Sequence, residues 1–405
     1  MCALQLMCTN DRFVLQIYPD WSIPAIFCPV LSRAIGVSCA FYIIFVAVIG
    51  CDGHIQRYKP IGVIQNMEYR HIEKTSNCFD AIRYILAILI TIAHYCVLSE
   101  THLIDDFNII ENRVSIFFII SGFFSFMMYC KTPAPWHFTK KRLKRLVPAY
   151  WATILLSVCL LSFISNMDMT DFWSSKQIYS YLMANMSFAN FIEPGLPGVF
   201  ENNHMSAVNG SLWTMKVEIM LLVTVPFAHA AFKKWGQKKC LVSIFVLSTL
   251  YRMTMDYLYD STQNEIYNIL SRQMAGQLVY FYSGACAYLY KDAILSKMKI
   301  LLPVSIVGYL FHTRTEVLYL LSPINLAIIV FCAAFKLKYL NFVSRLPNIS
   351  YSMYLVHFPI IQTYIHFGIH KEYPIGTLVL SLLSTIMAAY IMWYIAERPF
   401  MRKRA

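Results

Sequence analysis

Charged side chains are scarce. Asp, Glu, Lys and Arg fill 14% of the 405 positions while hydrophobic residues fill 58% and mean hydropathy is +0.52, against about 25% charged and 45–50% apolar in soluble domains. A water-soluble fold is therefore excluded. The 12 cysteines contain no Cys-x-x-Cys pair, and most, such as Cys96, Cys159, Cys286 and Cys332, sit inside apolar blocks; this argues against a disulfide scaffold and predicts free thiols packed in a membrane. The N-terminus lacks the order of a signal peptide, since no basic stretch precedes its apolar run and no small-residue cleavage site follows it. No cluster of metal-ligating residues is visible, so no metal is expected. Acid is also in deficit, giving a net charge of +12, but the basic residues fall between apolar blocks, where the inside-positive bias of membrane insertion puts them. Nucleic-acid binding is not expected.

What is present is a series of apolar blocks near the length that crosses a bilayer, about 20 residues. They predict an all-α, polytopic membrane helical bundle with ten spans, at 79–99, 114–130, 147–166, 211–232, 240–258, 273–290, 298–313, 317–335, 350–369 and 375–396. Alternate connections carry Lys131 and Lys140 to Arg145, then Lys233 to Lys239, Lys291 to Lys299, Lys336 to Arg345 and the tail from Arg398 to Arg404; the opposite set carries Asp105, Asp106, Glu111, Asp168, Asp171, Glu193, Glu201, Asp256 and Asp260. The basic set predicts the cytoplasmic side and a cytoplasmic C-terminus. Residues 1–66 read as an atypical extension ahead of a membrane-embedded unit at 67–405, with a short eleventh span candidate at 34–50 and Met67 a candidate true start. The long outer connection 167–210, rich in aromatics with few charges, reads either as an interfacial loop on lipid headgroups or as part of an acceptor vestibule.

Ionisable residues inside a span cost several kcal/mol unless paired or facing a cavity, which makes them functional candidates. The first span holds Arg83 near its basic end and His94 eleven residues on, about 16 Å further out and close to three whole turns away, hence on nearly the same face. An imidazole can take and return a proton; an isolated one can equally be satisfied by a neighbouring helix. The fourth span, opening NGSLWTMKVEI, puts Glu218 about 10 Å below its outer boundary, a depth at which a carboxylate could orient His94. Lys216 then either snorkels outward or pairs with Glu218. Arg142 and Arg145, three apart before the third span, share a helix face; as a cluster with Lys140, Lys141 and Lys144 they suit a lipid anchor, and as a pair they suit a phosphate clamp.

Taken in order, these segments resemble the acyltransferase-3 family of membrane acyltransferases over roughly residues 77–400. FDAIRYILAILITIAHY carries a basic residue and a histidine separated by ten others; VSIFFIISGFF carries Ser121, Gly122 and Phe123; FTKKRLKRLVPAYW carries Arg142, Arg145 and Pro148 to Trp151; NGSLWTMKVEI carries Leu212, Trp213 and Glu218; ISYSMYLVHFPI carries Ser350, Tyr351, Tyr354 and His357; AERPF closes with Glu397, Arg398 and Pro399. The chain departs from the pattern at Ser115, where an acidic residue is common, at Arg113 in place of glycine, and at Ile219 in place of a second acid.

The resemblance implies transfer of an acyl group, acetyl by preference, from acetyl-CoA as co-substrate to a hydroxyl of an extracytoplasmic surface glycan or lipid-linked oligosaccharide in a bacterial inner membrane. The expected acceptor is a lipopolysaccharide O-antigen sugar. It implies His94 as general base with Glu218 orienting it, Arg83, Arg142 and Arg145 holding the CoA phosphates, and Ser121, Tyr150, Trp213 and His357 lining the passage. A transporter or flippase of lipid-linked sugars is the alternative from another class, separated by whether free CoA appears when glycan is supplied; a structural partner in glycan assembly would need no essential histidine.

Overall fold

The computed structural model describes residues 77–101, 113–314 and 316–401, and the backbone of a short antiparallel hairpin, β1 (Leu6–Thr9) and β2 (Arg12–Leu15). The 34–50 candidate, the boundary at Met67, the acidic residues Asp105, Asp106 and Glu111, and the last basic residues lie outside the described residues.

Each of the ten expected stretches is one helix: α1 (Phe79–Leu98), α2 (Arg113–Lys131), α3 (Pro135–Leu161), α4 (Trp213–Trp235), α5 (Gln237–Thr262), α6 (Met274–Leu289), α7 (Met298–Leu310), α8 (Glu316–Lys336), α9 (Ser350–His366) and α10 (Pro374–Met392). Length and apolarity establish six as able to cross a membrane, namely α1, α2, α3, α4, α8 and α10. The other four fall short for visible reasons. α5 carries Lys238, Lys239, Arg252, Asp256 and Asp260, whereas α6, α7 and α9 have 16, 13 and 17 residues, below the roughly 20 a span requires. α6 and α9 are inner helices, buried along most of their length.

The third helix differs most from expectation. It begins twelve residues before the expected 147, with Pro135 in its first turn, where a missing N–H costs nothing. The Lys and Arg residues that follow are good helix formers, so the basic cluster stands on a rigid helix. Proline at 148 is accommodated inside that helix. The seven cysteines among the described residues are all free thiols; Cys159 is exposed on the outer surface of the bundle, while Cys286 and Cys332 are buried.

Two side-chain cores fill the bundle. One gathers α2, α4, α5, α6 and α8 around Phe123, Phe126, Phe281 and Phe331; the other gathers α3, α9, α10 and the 172–212 segment around Tyr150, Phe172, Phe200 and Met353. α1 belongs to both, through Phe79 and Leu86 on one side and Ala87 on the other. The tightest approach is between α2 and α6: a Cβ on Gly122 would lie 1.8 Å from the Phe281 carbonyl oxygen, and one on Gly284 would lie 1.8 Å from that of Ile119. Membrane helices with no hydrophobic drive to associate rely on such small-residue contacts, and this one fixes the rotation of α2 and hence the direction of Ser121.

The 167–210 connection is ordered. It forms two short helices, Met169–Ser174 and Lys176–Met186, followed by turns that bury Leu196, Val199, Phe200, Val208 and Asn209. Gln362, wholly buried on α9, donates to the carbonyls of Met205 and Ala207 and so pins this segment to the bundle.

Candidate active site

At the end of the bundle where α1 and α3 begin and α2 ends, a cavity of about 610 Å³ is lined by Asp80, Arg83, Lys141, Arg142, Arg145 and Asn348, among others. That volume is typical of small-molecule sites, about 300–1,000 Å³. Asp80 organises its rim, pairing with Arg83 at 3.0 Å and accepting from Asn348 Nδ2 at 2.8 Å. The Arg83 guanidinium also lies 4.6 Å from the centre of the Phe124 ring, a cation–π contact that holds it in one orientation.

Arg142 is 7% exposed and donates through Nη2 to Ser125 Oγ at 2.9 Å. Its Nε is buried without a hydrogen-bond partner among the described residues. Such a donor at a cavity wall is an unused contact for an anion, because guanidinium pairs with phosphate by two parallel hydrogen bonds. Lys140 and Lys144 on the same helix are exposed. The basic run is thus divided by the helix period, with the two arginines turned inward and these lysines outward.

Deeper in, Ser121 donates to a Glu218 carboxylate oxygen, joining α2 to α4, and Arg142, Arg145 and Arg83 are the charges that act on that carboxylate. Lys216 reaches the other way, its Nζ lying 4.8 Å from the Phe191 ring centre. A second buried carboxylate, Glu397, 1% exposed, comes from a π-helical turn, Trp393–Glu397, at the end of α10 and accepts from Ser352 Oγ. Tyr351, next to that serine, donates to the Leu146 carbonyl of α3 at 2.8 Å. These ties hold α3, α9 and the π turn together beside Arg145.

His94 lies towards the opposite end of α1. Its Nδ1 is 3.0 Å from Nε2 of His357 on α9 and 3.2 Å from the Ile90 carbonyl oxygen. His357 is fully buried, and Phe358 presents its ring edge-on to His94 at 5.4 Å. Arg113, at the start of α2, donates to the Leu89 carbonyl at 3.2 Å and brings a positive charge near this pair.

The structure therefore brings together Arg83, Arg142 and Arg145 around one cavity, Ser121 with Glu218, and His94 with His357. The hydrogen-bond partner of His94 is His357 where Glu218 was expected, because the rotation of α4 directs that carboxylate to Ser121. Tyr150 is fully buried, donates to the Asn185 carbonyl at 2.8 Å and stacks on Phe188 at 4.5 Å, tying α3 to the outer segment. Trp213 packs against the α2–α6 core. Ser125 and Asn348 were not singled out in the sequence, and Asp80, an ionisable residue of the first span, had been given no role. Ser125 carried a usable signal, standing four residues after Ser121 and so on the same helix face. Among the described residues no group of three His, Cys, Asp or Glu side chains forms a metal site.

Residues 76–397 match a family model described as an acyltransferase domain, acyltransferase-3. The chain belongs to the acyltransferase-3 family. This acyltransferase is similar to a protein named O-acetyl transferase from Shigella phage Sf6, 23% identical over 340 residues that cover 81% of this chain and 97% of the relative. It is also similar to nodulation protein 10 of Rhizobium leguminosarum bv. viciae, 25% identical over 367 residues covering 82% and 95% of the two chains. No solved structure matches the acyltransferase. Its family and its apolar helices make it a membrane-embedded enzyme that transfers acyl groups.

Proposed function

We propose that the protein is an O-acetyltransferase of the bacterial inner membrane, taking acetyl from acetyl-CoA on the cytoplasmic side and delivering it to a hydroxyl of an extracytoplasmic glycan, with a lipopolysaccharide O-antigen sugar as the favoured acceptor. The observation that carries this reading is an arginine-lined cavity at one end of α1 with a histidine pair at the other. Arg83, Arg142 and Arg145 suit the phosphates of a nucleotide-bearing thioester. On this reading the pantetheine arm passes between the helices towards His94 along the polar run of Ser125, Ser121 and Glu218.

In this mechanism His94 is the general base. It accepts the proton of the sugar hydroxyl as the oxygen bonds to the thioester carbonyl carbon; the carbon–sulfur bond breaks, and the proton held by the imidazole passes to the departing thiolate, releasing CoA. General base action of this kind is worth about 10²–10⁴-fold. The name of one relative, an O-acetyl transferase, supports acetyl as the group and an oxygen atom as its acceptor.

The test is reconstitution in lipid nanodiscs with acetyl-CoA and lipid-linked oligosaccharide, following free thiol and the mass of the glycan together. Thiol release matched by addition of one acetyl per glycan is expected. Glycan movement across vesicles without thiol release would replace this reading with a flippase.

A further inference from the structure

The hydrogen-bond partners of the two histidines fix where their protons lie. His357 Nδ1 is 3.2 Å from the Met353 carbonyl oxygen, and His94 Nδ1 is 3.2 Å from that of Ile90. A carbonyl oxygen only accepts, so each Nδ1 carries a hydrogen. A neutral His357 then has a bare Nε2, and this atom lies 3.0 Å from His94 Nδ1. Every contact is satisfied by one assignment: His94 Nδ1–H is shared between the Ile90 carbonyl and His357 Nε2, and His357 Nδ1–H is given to Met353.

We propose that His357 is a positioning residue that locks His94 in its Nδ1–H tautomer, leaving His94 Nε2 as the bare nitrogen that receives the acceptor hydroxyl's proton. The tautomer follows from geometry alone; its use in transfer rests on the reading of His94 as general base. The roles do not exchange. Both nitrogens of His357 are committed and its side chain is fully buried, whereas His94 is only partly buried and its Nε2 makes no hydrogen bond among the described residues. The tautomer of a catalytic imidazole is set by the bond its other nitrogen makes, a task carried by a carboxylate in serine-protease triads. Here Glu218 is occupied by Ser121, and a neutral imidazole fills that place. After proton uptake the His94 cation keeps the same Nδ1–H bond to His357, so no group has to rotate between the two halves of the transfer.

The experiment is nitrogen-15 and carbon-13 NMR of ring-labelled histidine in the full-length protein in bilayers, with His94 assigned by subtracting the spectrum of His94→Asn. The native protein should show His94 protonated at Nδ1 and bare at Nε2. His357→Gln, whose side-chain oxygen reaches the place of Nε2, should keep that signature and most of the turnover. His357→Phe should give a mixed or Nε2–H signature and lower kcat by about 100-fold, with KM for acetyl-CoA changed less than threefold. A native His94 protonated at Nε2 overturns the proposal, as does an unchanged tautomer in His357→Phe. Should His357→Phe fail to fold, the native and His357→Gln spectra decide the matter. If the expected tautomer is seen in a protein that releases no CoA, the lock stands and the acetyltransferase reading falls.

Discussion

The two ends of α1 share a helix face and almost nothing else. Around Arg83 there is open volume, three inward guanidinium groups and an acidic residue that organises the rim; around His94 there is close packing, a second imidazole and aromatic rings. Charges on a cavity wall bind a charged molecule at little cost, because one side stays wet. Proton transfer profits from the opposite surroundings, where fixed dipoles replace water. Under the proposed function, this separation makes binding the donor and activating the acceptor independent properties of the molecule, joined by the helix between them.

Substitutions that act at one end only would sharpen the contrast, and any that act equally at both would break it. The largest effect is expected for His94→Asn, which should lower kcat for CoA release by about 10³-fold while leaving expression and thermal unfolding unchanged. Arg142→Met comes next. Loss of charge-assisted hydrogen bonds, each about 1.5–3 kcal/mol, should raise KM for acetyl-CoA roughly 10- to 100-fold with kcat largely retained, and the salt dependence of the residual affinity should weaken while Arg83 and Arg145 remain. Gly122→Ala tests the frame that holds both ends, since its Cβ would fall 1.8 Å from the Phe281 carbonyl oxygen. Overpacking of that kind costs about 1–3 kcal/mol, so thermal unfolding in detergent should begin several degrees lower, with kcat and KM disturbed together. The smallest effect is expected for Lys144→Ala, an exposed neighbour of the clamp. It should change KM by less than twofold, and a larger change would mean that the whole basic run binds the donor.

The ends of α1 were also unequally legible in the sequence. The helices themselves were plain, because apolar blocks of span length have few other uses, and the face shared by Arg83 and His94 followed from counting turns. The pair Arg142 and Arg145 was visible as an i, i+3 spacing on one helix face, although the continuity of that helix with the third span was not: its basic turns lack the apolar signal by which spans are read. His357 as the partner of His94 was out of reach. The two residues stand 263 positions apart, and the packing of α1 against α9 leaves no periodicity in either segment. Glu218 shows the same limit from the other side. Depth along a helix can be counted, but its rotation is decided by packing, here by the close glycine contact that turns Ser121 towards the carboxylate.

The central claim is that donor binding belongs to the arginine end and chemistry to the histidine end. It is tested most directly by the Kd of a non-transferable acetyl-CoA thioether, measured on purified His94→Asn, on Arg142→Met with Arg145→Met, and on the unaltered protein. The account predicts a Kd within about twofold of the unaltered protein for His94→Asn and at least tenfold weaker for the arginine pair. Weak binding by His94→Asn, or undiminished binding by the arginine variant, would contradict it.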